Sequence, residues 1–295
     1  MALTTAPGAW IGAPAVLVSR EAASSFAAAV DETREEFLSG SILVPTYAVT
    51  LAWDVQNRVL NEVLPDALGL HGEQAFRFFS PIAPGMEVNS RARLECIAPR
   101  SSGTTVTVRT ETFDGSVLLC TQLFTVFVVG ETLPPWGTST DLTPDHPSSE
   151  VGDPRRLQEL TEVLPQDQPS RYAKASGDSY QIHVDETYAK AMGLSGPIAH
   201  GMTTLAYAAR AVRESIRNDA SLSYLAARFS ASVTPGSSLK TSVYAADEGD
   251  SQLSGTFETV ADGVTSVITH GRFVASASSG AKNLNPTQSH DRKAG

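Results

Sequence analysis

One pattern occurs twice in this chain and limits the folds open to it. The segment RFFSPIAPG at 77–85 returns as RFSASVTPG at 228–236, so that Arg77, Phe78, Pro84 and Gly85 are matched by Arg228, Phe229, Pro235 and Gly236 at a constant offset of 151. Further on, ETFDG at 111–115 is answered by ETVADG at 258–263, with the Asp-Gly pairs offset by 148. A chain of 295 residues with this spacing reads as two copies of one module, each of about 130–150 residues, an ordinary domain size. The N-terminal module covers residues 1–130 and the C-terminal module 156–276. Between them, ETLPPWGTSTDLTPDHPSSEVGDPR at 131–155 concentrates Pro, Gly, Ser and Asp and reads as a linker. The tail 277–295 has little apolar content and is expected to be disordered.

Within each module the periodicity of apolar residues marks strands. Met86, Val88, Ser90, Ala92, Leu94 and Cys96 alternate with Glu87, Asn89, Arg91, Arg93 and Glu95, the pattern of a half-buried strand. TTVTVRTETF, the turn pair Asp114-Gly115 and SVLLCTQLFTVFVV read as a hairpin leading into a more deeply buried strand. SLKTSVYAA, QLSGTFETV, Asp262-Gly263 and VTSVITHGRFVA repeat this arrangement in the second module. Ahead of its strands each module has one strongly apolar helix. PTYAVTLAW opens with Pro45 at a first-turn position and carries no charge until Asp54. In HGMTTLAYAARAVRESI the residues Leu205, Ala208, Ala209, Val212 and Ile216 form one stripe. A buried helix followed by an antiparallel sheet that curls around it is the α+β hot-dog arrangement, and two modules make a double hot-dog.

Composition excludes several functions. A net charge of −10 lacks the electrostatic footprint of nucleic-acid binding. No run of about 18 apolar residues marks a membrane span, and MALTTAPGAW has neither the basic nor the apolar region of a secretory signal. Cys96 and Cys120 have no metal-site or disulfide company and are read as core residues of neighbouring strands in a reducing cytoplasm.

The stretch SGDSYQIHVDETYAKAMGLSGPIAHGM at 176–202 resembles the signature of the MaoC-like dehydratases and type 2 (R-specific) enoyl-CoA hydratases. That signature runs Gly-Asp-x-Asn-Pro-hydrophobic-His and, after a spacer, Pro-Ile-x-His-Gly. This chain keeps Gly177, Asp178, His183, Pro197, Ile198, His200 and Gly201. Through VPTYAVTLAW and LHGEQAFRFFSPIAPG the first module is similar to the non-catalytic N-terminal half of double hot-dog members, so the resemblance spans roughly residues 25–275. Two positions depart from it: the expected Asn is Tyr180 and the expected Pro is Gln181. The Asn lies in the family's active site, so this departure bears on activity more than on fold.

The resemblance implies a hydratase or dehydratase acting on an acyl thioester, with Asp178 and His183 as the acid/base pair and the Gly201 N–H as oxyanion donor. Hydration of a 2-enoyl thioester needs a water polarised for attack at C3, a proton for C2 and a donor to the thioester oxygen. A carboxylate and an imidazole gripping one water serve the first two needs, with gains of about 10²–10⁴-fold for positioned acid/base groups. Gly201, at the entry to an apolar helix, offers an N–H without an intrahelical partner where the dipole favours negative charge. Tyr180 either offers a hydroxyl to the thioester or fills the pocket. His200, grouped with them around the substrate, is assigned a supporting role that shapes the loop. No cofactor is implied beyond the CoA or acyl carrier protein that carries the substrate, and monomer and homodimer both remain open.

A Gly-Asp turn with a nearby histidine is, alone, a weak signal; GPIAHG at the family's spacing and the helix behind it decide for the functional reading. Asp185 is read as a helix N-cap with Gly193 as the matching stop. His71 and Glu73 have no Asp/His pair at the required spacing, and the first module is expected to have exchanged catalysis for a wider acyl groove. Lys174, Arg210 and Arg228 are read as solvated surface charges before phosphate ligands. Two alternatives stand beside the hydratase. One uses the same pocket for hydrolysis or cyclisation of a thioester or polyketide-like substrate, and the other is an inactive acyl-binding scaffold.

Overall fold

The structure, a computed structural model, describes residues 8–64, 69–143, 155–217, 220–248 and 252–277. In the first module, short strands β1 (Ile11–Gly12) and β2 (Val16–Leu17) precede helices α1 (Arg20–Ala29) and α2 (Glu35–Leu38). A 3-10 segment, η1 (Pro45–Ala52), runs directly into α3 (Trp53–Val63), and strands β3 (Gly69–Phe78), β4 (Glu87–Arg100), β5 (Gly103–Asp114) and β6 (Val117–Val129) follow. After the short strand β7 (Trp136–Gly137), the second module has β8 (Arg155–Val163), α4 (Gln168–Ser176), α5 (Gln181–Val184), α6 (Glu186–Ala191) and α7 (Gly201–Ser215). It closes with β9 (Ala220–Phe229), β10 (Ser238–Glu248), β11 (Gln252–Ala261) and β12 (Thr265–Ala277).

All pairings are antiparallel, and the two modules share one sheet in the order β1-β4-β5-β6-β3-β9-β12-β11-β10-β8. The junction is β3 against β9, where Ala75 faces Ala226 and Glu73 faces Arg228. Ala226 is the residue 151 positions beyond Ala75, so the ladder pairs a residue with its own counterpart. A local twofold axis therefore relates the modules at that point, and each module covers the other's sheet edge, which would otherwise expose a row of unpaired backbone groups. The hairpin turns sit where Asp-Gly predicted them, with Gly115, Asp262 and Gly263 at positive φ.

The central helices differ from each other. Met202–Val212 of α7 is buried on every side, so Leu205, Ala208, Ala209 and Val212 of the expected stripe belong to a wholly enclosed helix, while Ile216 lies past its end in extended backbone. In the first module the Pro45 segment forms a 3-10 turn before it becomes α-helical. The Thr50 hydroxyl bonds the Tyr47 carbonyl at 2.8 Å, and the β-branched Thr46, Val49 and Thr50 are poor α-formers. One core runs through both modules, with Phe26 and Phe76 of the first packed in the same cluster as Tyr172, Leu205 and Phe257 of the second.

Part of the expected linker is ordered: Trp136–Gly137 pairs with Cys96 and Ile97 of β4, and Leu142 is buried against the sheet. Residues 144–154 and the tail from 278 onward lie outside the described residues, so the disorder expected of the tail does too. Cys96 and Cys120 are both buried, but β5 separates their strands. Arg210 is a correction to the surface reading. It is buried on α7 and pairs with Glu162 and the Asp31 carbonyl, because a helix enclosed on all sides leaves no solvated face for it. Arg228 is half exposed and paired with Glu73, and Lys174 is exposed. Among the described residues no helix is long and apolar enough to cross a membrane.

Candidate active site

The site begins where α4 stops. Gly177 caps that helix in the left-handed conformation (φ 83), which turns the chain so that Asp178 lies beneath the next segment. The Asp178 N–H donates to Ser176 Oγ at 3.1 Å, and one carboxylate oxygen accepts the Tyr180 N–H at 3.2 Å. The single turn α5 then points His183 inward. Its Nδ1 is 2.8 Å from the Ile198 carbonyl, which can only accept, so Nδ1 carries the proton and Nε2 is left as the free ring nitrogen. His200 caps α7, and its Nε2 donates to the Asp178 backbone carbonyl at 3.0 Å. The rings of His183 and His200 stack with centroids 3.7 Å apart and planes at 26°. Donor atoms of Asp178, His183 and His200 all lie within 4.8 Å of one another.

Burial sets the charges. With no cation beside it, the Asp178 carboxyl is pushed up to about 6 by desolvation, partly offset by the Tyr180 N–H. Desolvation pulls His183 down to about 4, and His200, also buried and facing His183, is lowered further. Near neutrality this gives a carboxylate beside two neutral imidazoles. In this donor set each imidazole gives one N–H to a carbonyl and keeps a lone pair on its other nitrogen, next to the carboxylate. The set is well built for moving a proton.

Two cavities meet here. One, of about 440 Å³, is lined by His183, Gly201, Thr204, Phe229 and Arg228. The other, of about 530 Å³, is lined by Asp178, Tyr180, Trp53, Asn57 and Phe124. His71 and Ile182 line both. Gly201 is the first residue of α7, and a Cβ there would stand 3.0 Å from the Phe229 ring, so only glycine leaves its N–H an open approach. Tyr180 sits in the wall of the second cavity, its ring 6.3 Å from that of His183 and 6.4 Å from that of Tyr188. Desolvation and the Tyr188 hydroxyl push its phenol up to about 12, so it stays protonated. His200 lines neither cavity; it backs the pair and does not face the substrate space.

The structure brings Asp178 and His183 together, with Gly201 lining one cavity beside His183 and Tyr180 lining the other beside Asp178. Sequence spacing did not assign His71 to this place. That residue, from β3 of the first module, lies between Phe124 (ring centroids 4.0 Å apart) and Phe229 (4.8 Å), with a buried Nε2 that has no hydrogen-bond partner in the protein. Desolvation takes it down to about 3. Only the β3–β9 junction carries it to the second module's site, and no local spacing announces that. Asp185 does cap α6, accepting the Tyr188 N–H at 2.8 Å, and Gly193 ends that helix at φ 83.

Comparison with known proteins agrees with this geometry. Residues 146–268 match the MaoC like domain, and residues 32–130 match the MFE-2 hydratase 2 N-terminal domain. The mouse peroxisomal multifunctional enzyme type 2 is 29% identical over 213 residues, covering 68% of this chain and 28% of that protein. The Arabidopsis thaliana peroxisomal enoyl-CoA hydratase 2 is 27% identical over 191 residues, 60% of each chain. The chain thus spans less than two thirds of the length of the curated relatives it matches. Among solved structures, a MaoC-like dehydratase superposes with a TM-score of 0.78 at 19% identity, over 94% of this chain and 100% of that one. One from Phytophthora capsici gives 0.73 at 21%, over 93% and 98%. A Mycobacterium tuberculosis protein described as having a double hotdog fold gives 0.64 at 14%, over 92% and 96%. The two halves are thus matched in order, residues 32–130 by the MFE-2 hydratase 2 N-terminal domain and residues 146–268 by the MaoC like domain, and the fold that joins them in one sheet is the double hot-dog.

Proposed function

We propose that the protein is a hydro-lyase that adds water to a 2-enoyl thioester, or removes it from the 3-hydroxyacyl thioester, at the Asp178–His183 site. The observation that carries this reading is the convergence of the Asp178 carboxylate and the His183 imidazole within 4.8 Å, on cavities that reach the N-terminus of α7. A water between them donates to the Asp178 carboxylate and meets the free Nε2 of His183. Its oxygen bonds to C3 as the C2–C3 double bond opens, and the displaced proton passes through the pair to C2, so hydroxyl and proton both come from one water. The Gly201 N–H faces the oxygen on which negative charge develops, at a helix end whose dipole favours it. Neutral His71 and Phe229 keep that space dry, which strengthens each of these contacts.

The relatives' printed names, which include an enoyl-CoA hydratase, favour CoA as the carrier. Arg100 and the Glu73-paired Arg228, both lining the first cavity, are the cations its phosphates would meet. The compartment read from cysteine usage is a reducing one; the cytoplasm is our assignment, and the named relatives are peroxisomal. Tyr180 in place of the family's Asn keeps a second reading in view, a different reaction on the same thioester. Incubation with 2-enoyl-CoAs of short, medium and long chain separates the two. Loss of the enoyl-thioester absorbance with formation of the 3-hydroxyacyl product supports the hydro-lyase. An unchanged double bond with release of free CoA supports hydrolysis.

A further inference from the structure

The Asp178–His183 pair is divided between two cavities. Asp178 walls one of them and His183 the other, so a molecule whose reacting carbons meet both groups must cross from one to the other. Among the described residues, His71 and Ile182 are the two that wall both cavities, and the crossing runs between them. Ile182 is a fixed side of it: the residue is 3% exposed, and its carbonyl accepts the Ile198 N–H at 3.2 Å. His71 is the other side, and it comes from the first module.

An irregularity in β3 aims it there. Phe76 points into the core cluster, so strict alternation along the strand would send His71, with Ala75 and Glu73, to the opposite face. The register with β6 breaks that alternation: His71 faces Val126 while Glu73 faces Thr125, which leaves Gly72 as one extra residue. A bulge of this kind re-aims the side chain beside it, and here it turns the imidazole inward. The ring then joins a row of four. Trp53 and Phe124, 6.2 Å apart, wall the cavity of Asp178; His71 follows 4.0 Å beyond Phe124, and Phe229, 4.8 Å farther, walls the cavity of His183. The imidazole therefore stands as a partition. Its Nε2 has no hydrogen-bond partner in the protein, so replacing it strands no buried group elsewhere.

We propose that His71 determines the shape of acyl chain the protein accepts, admitting chains that are straight at C4 and rejecting those branched there. The inference rests on the hydro-lyase reading, which puts the thioester oxygen at Gly201 and C3 between His183 and Asp178. C4 then lies in the crossing against His71, and the rest of the chain runs on into the cavity of Trp53 and Phe124. A methyl group on C4 has to take space that the imidazole fills. One surplus carbon in a closed wall is worth roughly tenfold or more in kcat/KM.

The test compares trans-2-octenoyl-CoA with its 4,4-dimethyl analogue, as the branched-to-linear ratio of kcat/KM in the wild type, His71→Ala and His71→Phe. The slower intrinsic reaction of the hindered ester is common to all three proteins and cancels between them. His71→Ala opens the crossing and is expected to raise the ratio by roughly tenfold or more. His71→Phe refills the place with a ring and is not expected to raise it. Saturated octanoyl-CoA and 4,4-dimethyloctanoyl-CoA, titrated by calorimetry into the same proteins, read the crossing without any reaction. Their relative affinity is expected to shift toward the branched ester in His71→Ala alone. That shift without turnover of any 2-enoyl-CoA would keep the partition and remove the hydro-lyase reading. The partition is overturned by either ratio staying unchanged in His71→Ala, by an equal rise in His71→Phe, or by failure of both saturated esters to bind.

Discussion

His183 and His200 stack with ring centroids 3.7 Å apart, closer than two charged imidazoles would tolerate away from water. Burial and this mutual contact hold both neutral, which leaves Asp178 as the one of these three groups that titrates nearest to neutrality.

The rate should report that titration. The water-activating form is the carboxylate, and the Asp178 carboxyl is raised to about 6. In the free protein kcat/KM is therefore expected to be flat above that value and to fall about tenfold per pH unit below it. A profile flat down to pH 5 (an arbitrary point roughly one unit below) would mean that another group sets the protonation state.

Stability should fall on acidification for a different reason. His71 and His183 bind protons in the folded state only at about 3 and 4, below the ordinary imidazole value of 6.5. Between 6.5 and those values the unfolded chain takes up protons that the folded chain refuses, so stability is lost as pH falls, by up to roughly 1.4 kcal/mol per pH unit per group. Asp178, raised to about 6, and Glu162, raised to about 7 by burial, act oppositely as pH falls and offset two of the three buried imidazoles, His200 included. The thermal midpoint is expected to drop from neutral to mildly acid pH, less steeply in His71→Gln. Equal slopes in the variant and the wild type would contradict this.

Gly201→Ala places a Cβ 3.0 Å from the Phe229 ring without straining the backbone. The ring must give way and the methyl crowds the approach to the Gly201 N–H, so kcat is expected to fall by up to roughly 10²-fold with a smaller change in KM. The thermal midpoint should move by only a few degrees. An unchanged kcat would remove Gly201 from the oxyanion role.

Tyr180 narrows the cavity that also holds Asp178, Trp53 and Phe124. Tyr180→Asn, which restores the family residue, is expected to raise kcat/KM for long-chain enoyl-CoAs relative to short ones by roughly tenfold, about the discrimination available from a few methylenes. A uniform change across chain lengths would indicate instead that the phenol touches the reacting thioester.

Much of this was legible in the chain. The repeat at 77–85 and 228–236 announced two modules, and the apolar helix behind GPIAHG placed Gly201 at its N-terminus because those signals are local. The 3-10 start at Pro45 was not, since it depends on β-branched residues being tolerated inside a packed core. Arg210 read as a surface charge, because only the fold encloses its helix on all sides. His71 was hidden because it acquires its meaning only from the pairing of β3 with β9, a relation between residues far apart in sequence.

The central claim, that Asp178 and His183 handle the proton, is tested most directly by 2-enoyl-CoA turnover in Asp178→Asn and His183→Ala alongside the wild type, with thermal midpoints recorded on the same samples. Each variant is expected to lose at least roughly 10²-fold in kcat. Asp178→Asn should keep or raise its thermal midpoint at pH above about 6, because a desolvated carboxylate has been replaced by a neutral amide. Wild-type turnover that survives in both folded variants would contradict the assignment and move the chemistry elsewhere in the molecule.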